Sequence, residues 1–181
     1  MGTATRNLED DHVHILRLIE VMGRVIGSEN PEISHLEDMV DIIRNFADGI
    51  HHAKEENQFF PYLAKRGFSL QNGPVAVMLH EHVQGREYVK GMADGIGALK
   101  NGDLDALSDI YINMKGYGQL LHNHIGKENN ILFRMADRAL SEDDQLTLLK
   151  EFAEAEAGFS AVRKEKYINR INELAEEYGV E

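Results

Sequence analysis

His51-His52-Ala53-Lys54-Glu55-Glu56-Asn57-Gln58-Phe59-Phe60 and His124-Ile125-Gly126-Lys127-Glu128-Asn129-Asn130-Ile131-Leu132-Phe133 are two versions of one decapeptide, with His, Lys, Glu, Asn and Phe coinciding at five positions. A weaker echo precedes each copy, Asp11-His12-Val13 for the first and Glu81-His82-Val83 for the second. The chain therefore reads as two similar helical hairpins, each supplying one histidine and then a His-x-x-Lys-Glu. Histidine and glutamate four residues apart lie on one face of a helix, one turn apart. Both His51–Glu55 and His52–Glu56 have that spacing. Only the first pair has a counterpart in the second hairpin, so the repeat selects His51 and Glu55.

The surrounding pattern is helical. Apolar residues recur at helical intervals in four long segments separated by Gly, Pro and Asn clusters. The first runs from about Leu8 to Ile26, with Leu8, Ile15, Ile19, Met22 and Ile26 on one face. The second begins near Ser34, where Ser34 and Glu37 have capping-box spacing, and ends by Gly67; Pro61 predicts a kink or a helix end. The third opens after Asn72-Gly73-Pro74 and stops at Asn101-Gly102-Asp103. The fourth spans roughly Leu104 to Ala139, with Met114, Tyr117, Leu121, Ile131 and Met135 in register. Ser141 and Asp144 form another start signal, and the remainder reads as one broken or two short amphipathic helices around Gly158. No strand period occurs. The expectation is an all-α, up-down-up-down four-helix bundle over residues 1–140, with residues 141–181 a C-terminal helical extension of the same domain.

Composition narrows function. The chain has 181 residues and a formal net charge of -12, which argues against nucleic acid or an anionic membrane as partner. No apolar run spans a bilayer and the N-terminus lacks a signal-peptide layout, so a cytoplasmic location is expected. Cysteine is absent, which removes disulfides, thiolate ligands and iron–sulfur clusters. Histidine is the residue that stands out. Eight of the nine fall in four tight pairs, 12/14, 51/52, 80/82 and 122/124, and His35 stands alone without a partner.

The helical faces select one histidine from each pair. His12, His51, His82 and His124 lie on the apolar stripes, whereas His14, His52, His80 and His122 point elsewhere or to the stripe edge. Glu55 and Glu128 enter the same interior, where an uncompensated carboxylate costs roughly several kcal/mol. Metal ions supply the compensation, and imidazole with carboxylate suits Fe, Mn or Zn. Six such groups exceed a tetrahedral zinc site and suit two ions. Met22, Met39, Met78, Met92, Met114 and Met135 read as core filler, and Phe59, Phe60 and Phe133 as closing the bundle. Arg86, one turn beyond His82, is expected to pair with an acidic residue behind the site, such as Glu81, or to reach outward. Tyr117 reads as a core residue or a hydrogen-bonding group of the pocket.

Asp11-His12, His51-x-x-Lys-Glu55, Glu81-His82 and His124-Ile-x-Lys-Glu128-Asn-x-Ile-Leu-Phe resemble the hemerythrin-like (HHE cation-binding) family over roughly Leu8 to Ala139. The resemblance implies a four-helix bundle around two iron ions bridged by carboxylates and an oxo or hydroxo group. His12, His51, Glu55, His82, His124 and Glu128 take the ligand positions, with Glu55 and Glu128 as bridges. Oxygen-carrying members have His-x-x-x-His on the third helix and an aspartate five residues after the fourth-helix histidine. Here Met78 and Arg86 flank His82, and Glu128 with Asn129 replaces that aspartate. One histidine thus lacks a counterpart, its place left to Glu81, Glu56 or a water, and the pattern points away from plain oxygen transport. Binding or sensing of dioxygen, nitric oxide, peroxide or iron is the functional expectation, with a di-iron catalase or peroxidase-like oxidoreductase as the alternative. A homo-oligomer is possible through an exposed helical face of the tail.

Overall fold

The computed structural model describes residues 3–158 and 161–180. Among these the chain forms six helices and no strand: α1 Thr3–Val25, α2 over residues 33–65, α3 Gly73–Lys100, α4 over residues 106–139, α5 Glu142–Gly158 and α6 Ala161–Glu177. Gly27, Gly67 and Gly102 follow the first three helices with φ of 95°, 94° and 96°, the left-handed conformation that glycine adopts without steric cost. Pro74 sits in the first turn of α3, where a missing N–H leaves no bond unmade.

Two long helices are not α-helical throughout. α2 is π-helical over Ile43–His52 and again over Glu55–Phe59 before the α-helix Phe60–Lys65 resumes. α4 carries a single π segment, Glu128–Leu132. The segments opening at Glu55 and Glu128 occupy equivalent places in the repeat, and in each the following Phe N–H, of Phe60 or Phe133, donates to that glutamate's backbone carbonyl. Such wide turns are rare and cluster at functional sites. They also shift helical phase. Ile131, expected inward, is 51% exposed, and Leu132 is buried in its place. Pro61 does not end α2: it falls in the first turn of the α-helix Phe60–Lys65 that follows a π segment. The Ser34–Glu37 capping box does not form: the helix starts at Ile33, and the Ser34 hydroxyl donates to Glu32 instead.

Packing follows the apolar faces. Gly85 of α3 lies beside Tyr117 and Leu121 of α4, whereas Gly95 lies beneath Ile110, so residue numbers run in opposite senses along the pair. A Cβ on Gly95 would come within 2.7 Å of Ile110 Cγ1, a separation only glycine permits. α1 meets α4 in the same sense, from Thr5 beside Asp137 to Tyr111 bonded to the Ser28 carbonyl. The core is divided in two. One cluster includes Ile15, Ile50, Met114 and Ile125, with Ile171 and Leu174 from α6. The other includes Leu8, Phe59, Phe60, Met78 and Phe133, with Leu148 and Phe152 from α5. Both tail helices therefore complete core that the first four leave open. His35 is also drawn into this packing, through a 2.8 Å hydrogen bond with Tyr178 that sequence reading did not anticipate.

The start of α5 is fastened as its sequence signal predicts. Asp144 N–H donates to Ser141 Oγ and Ser141 N–H to Asp144 Oδ2, at 3.2 and 3.0 Å. Arg66 and Tyr62 of α2 donate to the same carboxylate. Arg66, then the Ser141 N–H, hold Asp144 below its ordinary value of 3.8. A carboxylate depressed in the folded state adds stability above its unfolded pKa and loses it as pH falls through the folded one. Asp144→Asn is expected to lower Tm at pH 7. Thermal melts across pH should show that difference shrinking as the pH drops below 3.8.

Candidate metal centre

Between the two apolar clusters lies a layer of buried polar side chains: His12, His51, His52, Glu55, His82, His124 and Glu128, none more than 4% exposed. The six expected residues all converge there, from four helices. His52 joins them, contrary to the reading that turned it away. The π segment ending at His52 places adjacent residues both inward, which a regular α-helix disfavours. His52 stacks on His82 at a centroid separation of 3.8 Å. In the repeat its counterpart is the apolar Ile125, so the alignment that selects His51 discards His52. His80 and His122 are exposed, and His14 is half-buried beside Phe46.

The imidazole protons are fixed from outside this layer. His12 Nδ1 donates to Asn129 Oδ1 (2.7 Å), His82 Nδ1 to Glu56 Oε1 (2.7 Å), His124 Nδ1 to Glu81 Oε2 (2.9 Å), His51 Nδ1 to Asp11 Oδ2 (3.4 Å) and His52 Nδ1 to Asp48 Oδ1 (3.2 Å). Each acceptor is a carboxylate or amide oxygen with no proton to give, so Nδ1 must be the donor and the neutral ring turns a lone pair inward on Nε2. Glu56 and Glu81 thus hold histidines from behind and do not enter the centre. The repeat extends to these partners. Asp11 and Glu81 precede the first histidine of each hairpin and orient the second, while Glu56 and Asn129 each follow a glutamate and orient the histidine of the other hairpin. Lys54 and Lys127, the lysines of the motif, bind Asp11 and Glu81 respectively. Arg86 bonds Asp48 and Glu56, acidic partners behind the histidines as expected, though Glu81 is not one of them.

The inward lone pairs face one another. His12 Nε2 lies 3.0 Å from His51 Nε2, and His82 Nε2 lies 3.2 Å from His124 Nε2. Glu128 Oε2 is 3.2 Å from His12 and 3.3 Å from His124. Glu55 Oε1 is 3.7 Å from His51, and its Oε2 is 3.4 Å from His82. Among the described residues, no hydrogen bond reaches either oxygen of Glu55 or Glu128, or His52 Nε2. Charge follows. Burial alone would lower His124, yet Glu128 and Glu81 outweigh it and raise the imidazole to about 10, so the ring carries a second proton until a cation beside Glu128 takes its place. Burial, then the neighbouring His82, keeps His52 well below 6.5 and neutral.

These donors fit metal ions. Two nitrogens each about 2.1 Å from one ion, at near right angles, stand about 3.0 Å apart, as the facing imidazoles do. Two groups can each hold an ion, His52 with Glu55, His82 and His124, and His12 with His51, Glu55 and Glu128; in each, the ligand atoms lie within 4.8 Å of one another. Glu55 belongs to both. The class of molecule is therefore a helical cation-binding domain. A family model, the hemerythrin HHE cation-binding domain, matches residues 3–136, and the chain belongs to that family. Searches of curated proteins and of solved structures returned no match.

Outside the layer, a second buried ionic cluster ties the tail to the centre. Lys54, 1% exposed, donates to Asn7, Asp11 and Glu156, and Lys164 of α6 reaches Asp11 and Glu156 as well. Burial would raise Asp11, but His51 and the two lysines outweigh it and hold the carboxylate far below its ordinary range. Lys54→Met leaves Asp11 and Glu156 short of one cation. It is expected to reduce unfolding stability by about 3 kcal/mol, read from urea denaturation of wild type and variant.

Proposed function

We propose that the protein is a cytoplasmic non-haem di-iron protein that binds or senses a small oxidant: dioxygen, nitric oxide or peroxide. On an up-down-up-down four-helix bundle, His12, His51, His82 and His124 would supply the nitrogen ligands, Glu55 and Glu128 the carboxylates shared between the two ions, and His52 a fifth nitrogen. The observation that carries this reading is the position of the two glutamates, each facing one histidine from either hairpin with no other donor on it. Mixed nitrogen and oxygen ligands suit iron and also admit manganese or zinc. His52 supplies the nitrogen that the third helix lacks, which brings the histidine count back to five.

Redox-active ions in such a centre would bind and polarise a small oxidant. The chain's own part is to exclude bulk water with two apolar clusters and to fix five imidazoles by their Nδ1 partners. A cavity of about 150 Å³ beside His52 and His82 has room for such a molecule next to the centre. Hydrogen peroxide fits the same space, so a peroxide-consuming oxidoreductase is the second reading.

Purified protein is expected to carry two irons per chain, with His124→Ala falling below that. The reduced protein mixed with oxygen or nitric oxide in a stopped-flow spectrometer should change its absorption. No change with either gas would end the binding reading, and peroxide turnover no greater than in His124→Ala would end the second. His52→Ile, which copies the repeat residue Ile125, is expected to fold yet bind its second iron at least tenfold more weakly, measured by iron titration.

A further inference from the structure

The two hairpins brace their second histidine with the same residue types but at different depths. In the second, Glu81 accepts the Nδ1 proton of His124, and Lys127 holds that carboxylate at the surface, 36% of its side chain exposed. In the first, Asp11 Oδ2 accepts the Nδ1 proton of His51, and Lys54, 1% exposed, donates to the same oxygen. The tail makes the difference. α5 places Glu156 2.7 Å from Lys54, and α6 brings Lys164 within 2.8 Å of Asp11 Oδ1 and 2.9 Å of Glu156. Asp48 and Glu56, behind His52 and His82, take Arg86 of α3 instead, and His12 is backed by the neutral Asn129. Among the described residues, Asp11 is thus the one imidazole partner that a tail side chain bonds. Its 3.4 Å contact with His51 is also the longest of the five at Nδ1, so the other partners of the carboxylate decide where it points.

We propose that Lys164 and Glu156 are positioning residues for one of the two ions. Docked α6 fixes the Asp11 carboxylate, the carboxylate fixes the His51 ring, and the group of His12, His51, Glu55 and Glu128 gains affinity. The group of His52, Glu55, His82 and His124 keeps its ion without that contact. The inference rests on the metal-centre reading and adds which part of the chain governs which ion. Binding linkage is reciprocal, so an ion in the His51 group holds α6 in place by the same factor as docked α6 tightens the ion.

The test uses the full chain, stripped of metal and titrated with Fe(II) in the absence of oxygen. Wild type is compared with Lys164→Met, Lys164→Arg and the double variant Lys164→Met/Glu156→Gln. Iron affinity and stoichiometry, melting temperature and amide hydrogen exchange over residues 163–177 are read for each. In Lys164→Met one iron is expected to bind about tenfold more weakly and the other as in wild type, with Lys164→Arg restoring the first. Adding Lys164→Met to His52→Ile is expected to weaken both irons. The double variant removes one cation and one anion together, so its melting temperature should return toward wild type while the weak iron stays weak. Iron binding to wild type should slow exchange in α6 by about tenfold. Three results would overturn the proposal: two irons of wild-type affinity in folded Lys164→Met, iron affinity that recovers with melting temperature in the double variant, or exchange in wild-type α6 that ignores bound iron. The last needs no substitution and decides the matter if Lys164→Met does not fold. Wild type that takes up no iron would instead refute the metal-centre reading, whereas two bound irons with α6 indifferent to them would leave that reading standing.

Discussion

The carboxylates of Glu55 and Glu128 sit mid-bundle, fully buried and, among the described residues, without a hydrogen-bond donor. The neighbouring imidazoles hold one proton outward on Nδ1 and turn Nε2 toward the same small space. A protein interior does not tolerate such a convergence of acceptors unless cationic charge resides among them. This constraint explains why the hydrophobic core is cut into two clusters, why the helices widen locally at the two glutamates, and why acidic groups collect behind the histidines. Phe59, Phe60 and Phe133 seal one side and Ile15, Ile50 and Ile125 the other.

Around that layer the internal repeat becomes a pseudo-symmetric apparatus. Each hairpin contributes an acid that orients the partner helix's histidine and a lysine that anchors the acid. The symmetry breaks at two places, and both lie on one side of the centre. His52 stands where the other hairpin has Ile125, and Glu56 where it has Asn129. The His82 side therefore has an additional nitrogen and a histidine backed by a carboxylate, which raises ligand basicity, while His12 is backed by a neutral amide. The cavity opens on that same side. The two halves thus differ in their donors and in their access to the surface.

The tail is part of this arrangement. α5 and α6 bury Leu148, Phe152, Ile171 and Leu174 in the two clusters, and Glu156 with Lys164 completes the ion cluster around Asp11. Because Asp11 also holds His51, the packing of the last two helices reaches the centre through a single carboxylate.

Residues 1–181 carry in their order the helical periodicity, the glycine and proline breaks, and the repeat that singles out His12, His51, Glu55, His82, His124 and Glu128. These are local properties, set by side-chain spacing and backbone preference within a few residues, as is the Ser141–Asp144 cap. What tertiary structure alone decided is phase and partnership. π turns at Ile43–His52 and Glu128–Leu132 brought His52 inward and left Ile131 outside, although neither has a sequence signal that a 3.6-residue period would reveal. Arg86 found Asp48 and Glu56 rather than Glu81, and Glu81 went to His124 and Lys127, because ion pairs form between helices whose relative rotation no local pattern encodes. The physical reason is common to both: helix formation is written in neighbours along the chain, whereas the inward face of a widened helix and the choice of counter-charge depend on groups thirty or more residues away.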